Sequence, residues 1–270
     1  MLVLLNKVTK KIFGYLAHHN YGSRIFLKME MKTLQSQSLK FAEIGLDRNK
    51  AISKLNSVLG EIYGRSYTEK NGMWSEHLIL FAALSNSSNS IKNILEIGTF
   101  NGETTVILSK LFPSSSILTI DLKFDDILAT EMYQHATENQ KLVNERSRNL
   151  RTITNVHFME MNSLQLVNSE EAFDLIWIDG EHTYPIVAID IANSMRLLST
   201  AGIAICDDVY LESDEESRSG RSTASIETLQ ALAEAKLISY TLLHKRIGGF
   251  FNYPLYNKKY LGFFTKIDGK

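Results

Sequence analysis

Asp179, Asp207 and Asp208 each stand where an apolar run ends: F-D-L-I-W-I precedes Asp179, and I-A-I-C precedes the Asp207-Asp208 pair. Such runs read as buried parallel strands. Three carboxylates brought to one sheet edge repel one another unless protons or a cation offset them. An all-oxygen donor set with no required cysteine or histidine suits Mg²⁺, or else Ca²⁺ or Mn²⁺, rather than zinc. A cation held there would lower the pKa of a bound hydroxyl and fix its oxygen in place. His182 follows Asp179 by three residues, and an imidazole titrates in the range needed to take a proton from that hydroxyl. Asp179 is itself the other candidate base. Glu181 and Tyr184 either orient a substrate or face solvent.

A second constellation lies upstream, in N-I-L-E-I-G-T-F-N-G-E-T-T from Asn93 to Thr105. The apolar run stops at Gly98, and Gly102 opens a helically spaced segment, Glu103 to Leu111. Glycines there let the backbone approach a ligand, and the helix start offers unpaired N–H groups. A dinucleotide turn reads G-x-G-x-x-G. Here only two glycines stand behind an acid, Glu96, which suits an ammonium group better than a pyrophosphate. Asp121 ends the next strand, S-I-L-T-I-D-L, nineteen residues beyond Gly102. An acid at that offset can accept two hydrogen bonds from a ribose diol.

The Glu96-x-Gly98-x-x-x-Gly102 pattern resembles motif I of the class I S-adenosylmethionine (SAM) dependent methyltransferases. The runs F-D-L-I-W-I-D-G-E-H-T-Y and G-I-A-I-C-D-D-V resemble metal-dependent small-molecule O-methyltransferases: the macrocin type that tailors sugars and antibiotics and, more distantly, the catechol type. The resemblance implies that Asp179, Asp207 and Asp208 ligate a divalent cation, Mg²⁺ first. It implies that Glu96 and the Gly98, Thr99, Phe100, Asn101, Gly102 turn hold the amino-acid end of SAM. Asp121 would take the ribose, Asn162 and Ser163 the adenine, and Asp179 would also border the cofactor. His182 stands where catechol-type enzymes carry a lysine, and Asn162 where an acid is often found. The implied activity is methyl transfer from SAM to a hydroxyl of a small-molecule or sugar acceptor. Two other readings stay open: a metal-free methyltransferase with His182 as base, and a non-catalytic SAM-fold protein that binds a partner.

The elements positioning these residues follow from periodicity. From Ile91 onward strands and helices alternate, the signature of a parallel sheet with helices on both faces. Expected strands are Ser116 to Leu122, Asn155 to Met161, Phe173 to Ile178 and Ile203 to Cys206, and Tyr240 to Leu243 with Tyr260 to Ile267 form a closing antiparallel hairpin. The expected fold class is α/β, a Rossmann-like, seven-stranded, mostly parallel sheet; the resemblance implies that residues 91–270 are the methyltransferase domain, with 1–90 as a helical extension or cap. Within that extension Asn49 to Tyr63 and Met73 to Leu84 read as helices; Glu76 and His77 read as helix-surface residues, while the resemblance implies that this segment covers the cofactor, with Glu76 or His77 as the contact. Residues Asp125 to Leu150 read as a mobile loop with one or two helices, and Arg146, Arg148 and Arg151 as a solvated face. Leu211 to Ser222 is too hydrophilic to pack and is a candidate lid. Phe250, Phe251, Tyr253 and Tyr256 belong to a packed hairpin or line an acceptor pocket.

A net charge of −1 points to no nucleic-acid partner. The single cysteine, Cys206, excludes an internal disulfide framework and reads as a small buried residue. Lysines at 7, 10 and 11 interrupt the apolar start before a signal-peptide core forms, so a cytoplasmic location is expected. Residues Met1 to Lys32 mix apolar and basic side chains, which suits packing on their own domain, a homo-oligomer contact or peripheral membrane contact.

Overall fold

The structure is a computed structural model describing residues 20–87, 91–123, 136–213, 222–248 and 258–267. Among these, seven strands form one sheet: β1 Asn93–Ile97, β2 Ser116–Asp121, β3 Val156–Glu160, β4 Phe173–Ile178, β5 Leu198–Tyr210, β6 Ile238–His244 and β7 Lys259–Lys266. Their order is β3-β2-β1-β4-β5-β7-β6. The first five run parallel, and β7 is antiparallel to both β5 and β6. The chain winds outward from β1 to β3 and then returns to β4 on the other side of β1. That reversal leaves a crevice at the carboxyl ends of β1 and β4, where open α/β sheets take their ligands.

Successive strand residues face opposite sides, and the central strands are apolar on both. Ile94, Leu175, Trp177 and Ile205 enter one core; Leu95, Ile97, Ile176, Ile178, Ala204 and Cys206 enter the other. The first core lies under α1 Asn20–Glu43, α2 Arg48–Tyr63, α3 Glu76–Ser87 and α4 Glu103–Leu111. The second lies under α6 Ile186–Leu197 and α7 Ala224–Glu234; α5 Ala136–Leu150 precedes β3. Phe41, Leu55, Leu59 and Phe81 from the N-terminal helices share a core with the sheet. The termini of α2 follow local chemistry: Asp47 accepts from the Asn49 and Lys50 N–H groups, and Gly64 closes the helix at φ 65°.

Helix α3 begins at Glu76 rather than Met73, and it is buried on every side from Glu76 to Leu84. Glu76 and His77 are therefore interior residues and not helix-surface ones. Glu76 is admitted because Arg48 binds both its oxygens, at 2.6 and 2.8 Å, and Gln37 donates at 3.1 Å. His77 meets the Ser75 hydroxyl at 2.7 Å and stacks on Trp177 at 5.2 Å. Burial pushes its pKa down to about 4, so this imidazole is neutral at pH 7. Strand β5 exceeds the expected Ile203 to Cys206 at both ends: the chain turns directly from α6 into extended backbone at Leu198, and pairing with β7 carries the strand through Asp207 and Asp208 to Tyr210.

Other expectations fall outside the described residues: 1–19 of the amphipathic start, 124–135, most of the candidate lid with Arg218 and Arg221, and the aromatic residues Phe250, Phe251, Tyr253 and Tyr256. No described helix is long and apolar enough to cross a membrane.

Candidate active site

The loops after β1, β2 and β4 meet so closely that one position tolerates only glycine. Gly98 has φ 98°, and a Cβ there would lie 2.2 Å from the Asp179 carbonyl oxygen. Its N–H donates to Ile120 O at 2.9 Å, while Asp179 N–H donates to Ile97 O at 2.8 Å. The turn continues through Phe100, at φ 50°, whose N–H donates to Asp121 Oδ2 at 2.8 Å. Asn101 Oδ1 then receives the Glu103 N–H at 3.1 Å and starts α4.

Above this floor lies a cavity of about 480 Å³. Gly98, Thr99, Phe100, Asn101, Asp121, Asn162, Ser163, Asp179 and His182 all line it. Gly102 does not; its φ of 78° shapes the turn from behind. Met73 lines the cavity in place of Glu76 or His77, so the segment before α3 reaches the crevice through a different residue.

Glu96 also sits away from the wall. It is fully buried beneath the turn, where its Oε2 accepts from Thr105 at 2.5 Å and Thr119 at 2.6 Å. Its Oε1 has no partner among the described residues. Burial pushes this carboxyl up from 4.5 to about 8, against the two threonine hydroxyls. Between those values the native protein holds a proton that the unfolded chain has released. The stability tied to Glu96 is thus complete at low pH and declines as pH rises toward 8, by about 1.4 kcal/mol per unit. Glu96→Gln stays neutral throughout and is expected to remove that slope. Urea midpoints for both proteins from about pH 5 to about pH 8 measure it; parallel pH dependences would show that Glu96 is ionised in the fold.

Asp121 is more heavily engaged than the sequence suggests. Its Oδ1 accepts the Leu122 N–H at 2.8 Å, and its Oδ2 accepts both Phe100 and Arg146, the latter at 3.1 Å. Arg146 is buried and lies 4.3 Å over the Phe158 ring, so it is not part of a solvated face, whereas Arg148 and Arg151 are exposed. A carboxylate offers about four acceptor positions, which leaves Asp121 one for a ribose hydroxyl. Asn162 caps the 3-10 turn Ser163–Asn168 by accepting the Leu164 N–H at 3.0 Å.

His182 Nε2 lies 3.5 Å from Asp179 Oδ1 at the cavity wall. Burial and the nearby Asp207 push Asp179 up to about 7, with His182 pulling the other way. Burial alone would lower His182, but Asp179 outweighs it and holds the imidazole above its ordinary value. The two groups, 3.5 Å apart, are positioned to share one proton.

Asp207 and Asp208 occupy a bulge. Cys206 pairs with Gly262 and Val209 with Tyr260, so β5 carries one residue more than β7 across the gap, and Asp208 takes φ 48°. Lys245, directly after β6, places its Nζ 2.5 Å from Asp207 Oδ2 and 2.5 Å from Asp208 Oδ1. Lys259 lies 2.5 Å from Asp208 Oδ2. Burial would raise Asp207, yet Lys245 holds it well below the usual carboxylate range. These three acids as placed do not fit a divalent cation, because an ammonium group already lies between two of them. Among the described residues no group of three or more His, Cys, Asp or Glu side chains is arranged to hold a metal ion.

Four residues escaped sequence reasoning. Lys245 and Lys259 are ordinary basic residues in a chain with 29 lysines and arginines, and nothing local marks them; Arg146 stood out only as one of a basic cluster, which gave no sign that it pairs with Asp121. Glu103 was within reach, since it opens the helix behind the glycine turn; it lines the cavity and accepts the Trp74 indole N–H at 3.1 Å.

For SAM the residues do fit. The cradle at Gly98 admits no side chain, and Glu103, Asp121, Asp179 and Glu181 line the cavity, an arrangement suited to a cationic ligand. This sheet order, with the crevice at the carboxyl ends of β1 and β4, is that of the class I SAM-dependent methyltransferase fold. Residues 95–209 match the model of a family described as a methyltransferase domain. The O-methyltransferase TomG from Streptomyces achromogenes, involved in tomaymycin synthesis and solved with SAM, is 14% identical over 86% of this chain and 96% of that one, with a TM-score of 0.51. An O-methyltransferase from Bacillus cereus, solved with S-adenosylhomocysteine (SAH), is 19% identical over 79% and 91%, with a TM-score of 0.47. No curated protein matches the chain in sequence.

Proposed function

We propose that this chain methylates a hydroxyl of a small-molecule or sugar acceptor, with the Asp179–His182 pair taking the hydroxyl proton. The observation that carries the reading is that pair, 3.5 Å apart, on the same wall as the glycine turn and Asp121. The likeness to TomG, itself an O-methyltransferase solved with SAM, supports it. When bound, SAM supplies an activated methyl group on a sulfonium, which leaves positioning and deprotonation to the protein. The Gly98 to Gly102 turn would seat the amino-acid end, Asp121 a ribose hydroxyl through its remaining acceptor position, and Asn162 with Ser163 the adenine. Glu96 would act from beneath by holding Thr105 and Thr119 against the turn. Met73, Glu103 and Glu181 close the walls and would exclude water.

Metal assistance is the competing reading, and the lysines on Asp207 and Asp208 weigh against it. The test is calorimetric titration of the purified chain with SAH, followed by a screen of phenolic and sugar acceptors by SAH release. Saturable SAH binding with turnover on at least one hydroxylated acceptor is expected. SAH binding with transfer only to amines or thiols would overturn the acceptor class, and no binding would remove the function.

A further inference from the structure

Asp179 directly follows β4, Asp207 and Asp208 lie in the bulge within β5, and two ammonium groups are set among these three carboxylates. Lys245 bridges Asp207 and Asp208, and Lys259 takes the other oxygen of Asp208. The Lys245 side chain is only 7% exposed, so it is a built-in part of the interior and not a surface lysine resting on an acid. Its backbone is fixed as well: Lys245 N–H donates to Lys259 O at 3.0 Å, and Lys245 O accepts the Glu76 N–H at 3.0 Å. Glu76 is in turn clamped by Arg48 and Gln37. The lysine is thus anchored through the N-terminal helices, and the bulge at Asp207-Asp208 turns both carboxylates toward it.

We propose that Lys245 is the resident cation of this site, occupying with its ammonium group the place among the acids that a divalent ion would need, so that methyl transfer by this chain requires no metal. The charges support a specific division of labour. Two ammonium groups against three carboxylates leave one negative charge, and the Asp179–His182 pair is where it lies uncompensated. A proton taken from an acceptor hydroxyl brings the cluster to neutrality. A divalent ion would have to expel a buried ammonium from two carboxylates at 2.5 Å before it could bind, and that exchange leaves Lys245 buried without its partners.

The proposal rests on the methyltransferase reading only in its turnover arm; the binding arm needs neither cofactor nor acceptor. Free Mn²⁺ is followed by electron paramagnetic resonance as the full chain is titrated in. The wild-type protein is expected to leave the free Mn²⁺ signal unchanged, and its turnover to survive exhaustive chelation. Lys245→Ala uncovers the acids and is expected to capture Mn²⁺, lowering the free signal and raising the melting temperature only when Mn²⁺ is present. Should that variant fail to fold, Lys245→Met combined with Asp208→Asn removes one charge of each sign, and Mn²⁺ capture at the remaining acids reads the same point. Wild-type Mn²⁺ binding that Asp207→Asn abolishes would overturn the proposal. A folded lysine variant that captures no Mn²⁺ would overturn it too, since the acids would then not be a cation site at all.

Discussion

Gly98→Ala is expected to abolish SAH binding and to lower stability by about 4 kcal/mol or more, placing it among the rare severe single substitutions. Two costs add at that position. A residue with a Cβ at φ 98° is strained by roughly 1–3 kcal/mol, and the new Cβ would lie 2.2 Å from the Asp179 carbonyl oxygen. That neighbour is backbone, so no rotamer change relieves the contact, and the loops after β1 and β4 must part. The parting breaks the Asp179 N–H bond to Ile97 O and moves Asp179 itself. Gly64→Ala is the control: φ is 65° there, and nothing lies within 4 Å of its Cβ, so about 1 kcal/mol is expected. Thermal melts and SAH calorimetry on both variants separate strain from clash. Equal effects at the two positions would mean that β1 and β4 are not packed loop on loop.

Asp179→Asn is expected to reduce kcat by about 10²- to 10⁴-fold, the usual range for a positioned general base. Asp179 is pushed up to about 7 and His182 is held above its ordinary value, and the pair titrates as a unit. Only the form that has lost the shared proton can accept one from a hydroxyl, so wild-type turnover rises with pH and levels off above about 7. In Asp179→Asn the imidazole loses the partner that raised it, and what activity remains should level off at lower pH. His182→Ala should cost a comparable factor, and the double variant little more than the worse single one, because the two residues hold one proton between them. Steady-state rates against pH for the four proteins measure this. An unchanged profile in Asp179→Asn would assign the proton to another group.

The secondary structure was legible because hydrophobic spacing is a local property. Phe173–Ile178 is apolar at almost every position and lies buried between two parallel neighbours. Glu103–Leu111 repeats helically behind Gly102 and forms the predicted helix. The spacing also placed Gly98, Asp121, Asn162 and Asp179 at strand ends, and these share one cavity. Less was legible where polar residues are concerned. Glu96 was expected to face a ligand but is sealed under the turn, and Glu76 and His77 were expected to face solvent but are enclosed. A strand or helix pattern says which side an apolar residue takes. It is silent on whether an acid within the pattern has found donors elsewhere.

Alone, then, the amino-acid order determined the class of fold, the glycine turn and the edge of the sheet at which the acids gather, since each follows from neighbours a few residues apart. Only the folded chain decided what offsets those acids. Lys245 reaches Asp207 across 38 positions, Arg146 reaches Asp121 across 25, and Arg48 reaches Glu76 across 28. Burial makes an unpaired charge costly, so a partner must be present, but which basic residue serves is set by where the crossover connections bring the strand and helix ends together.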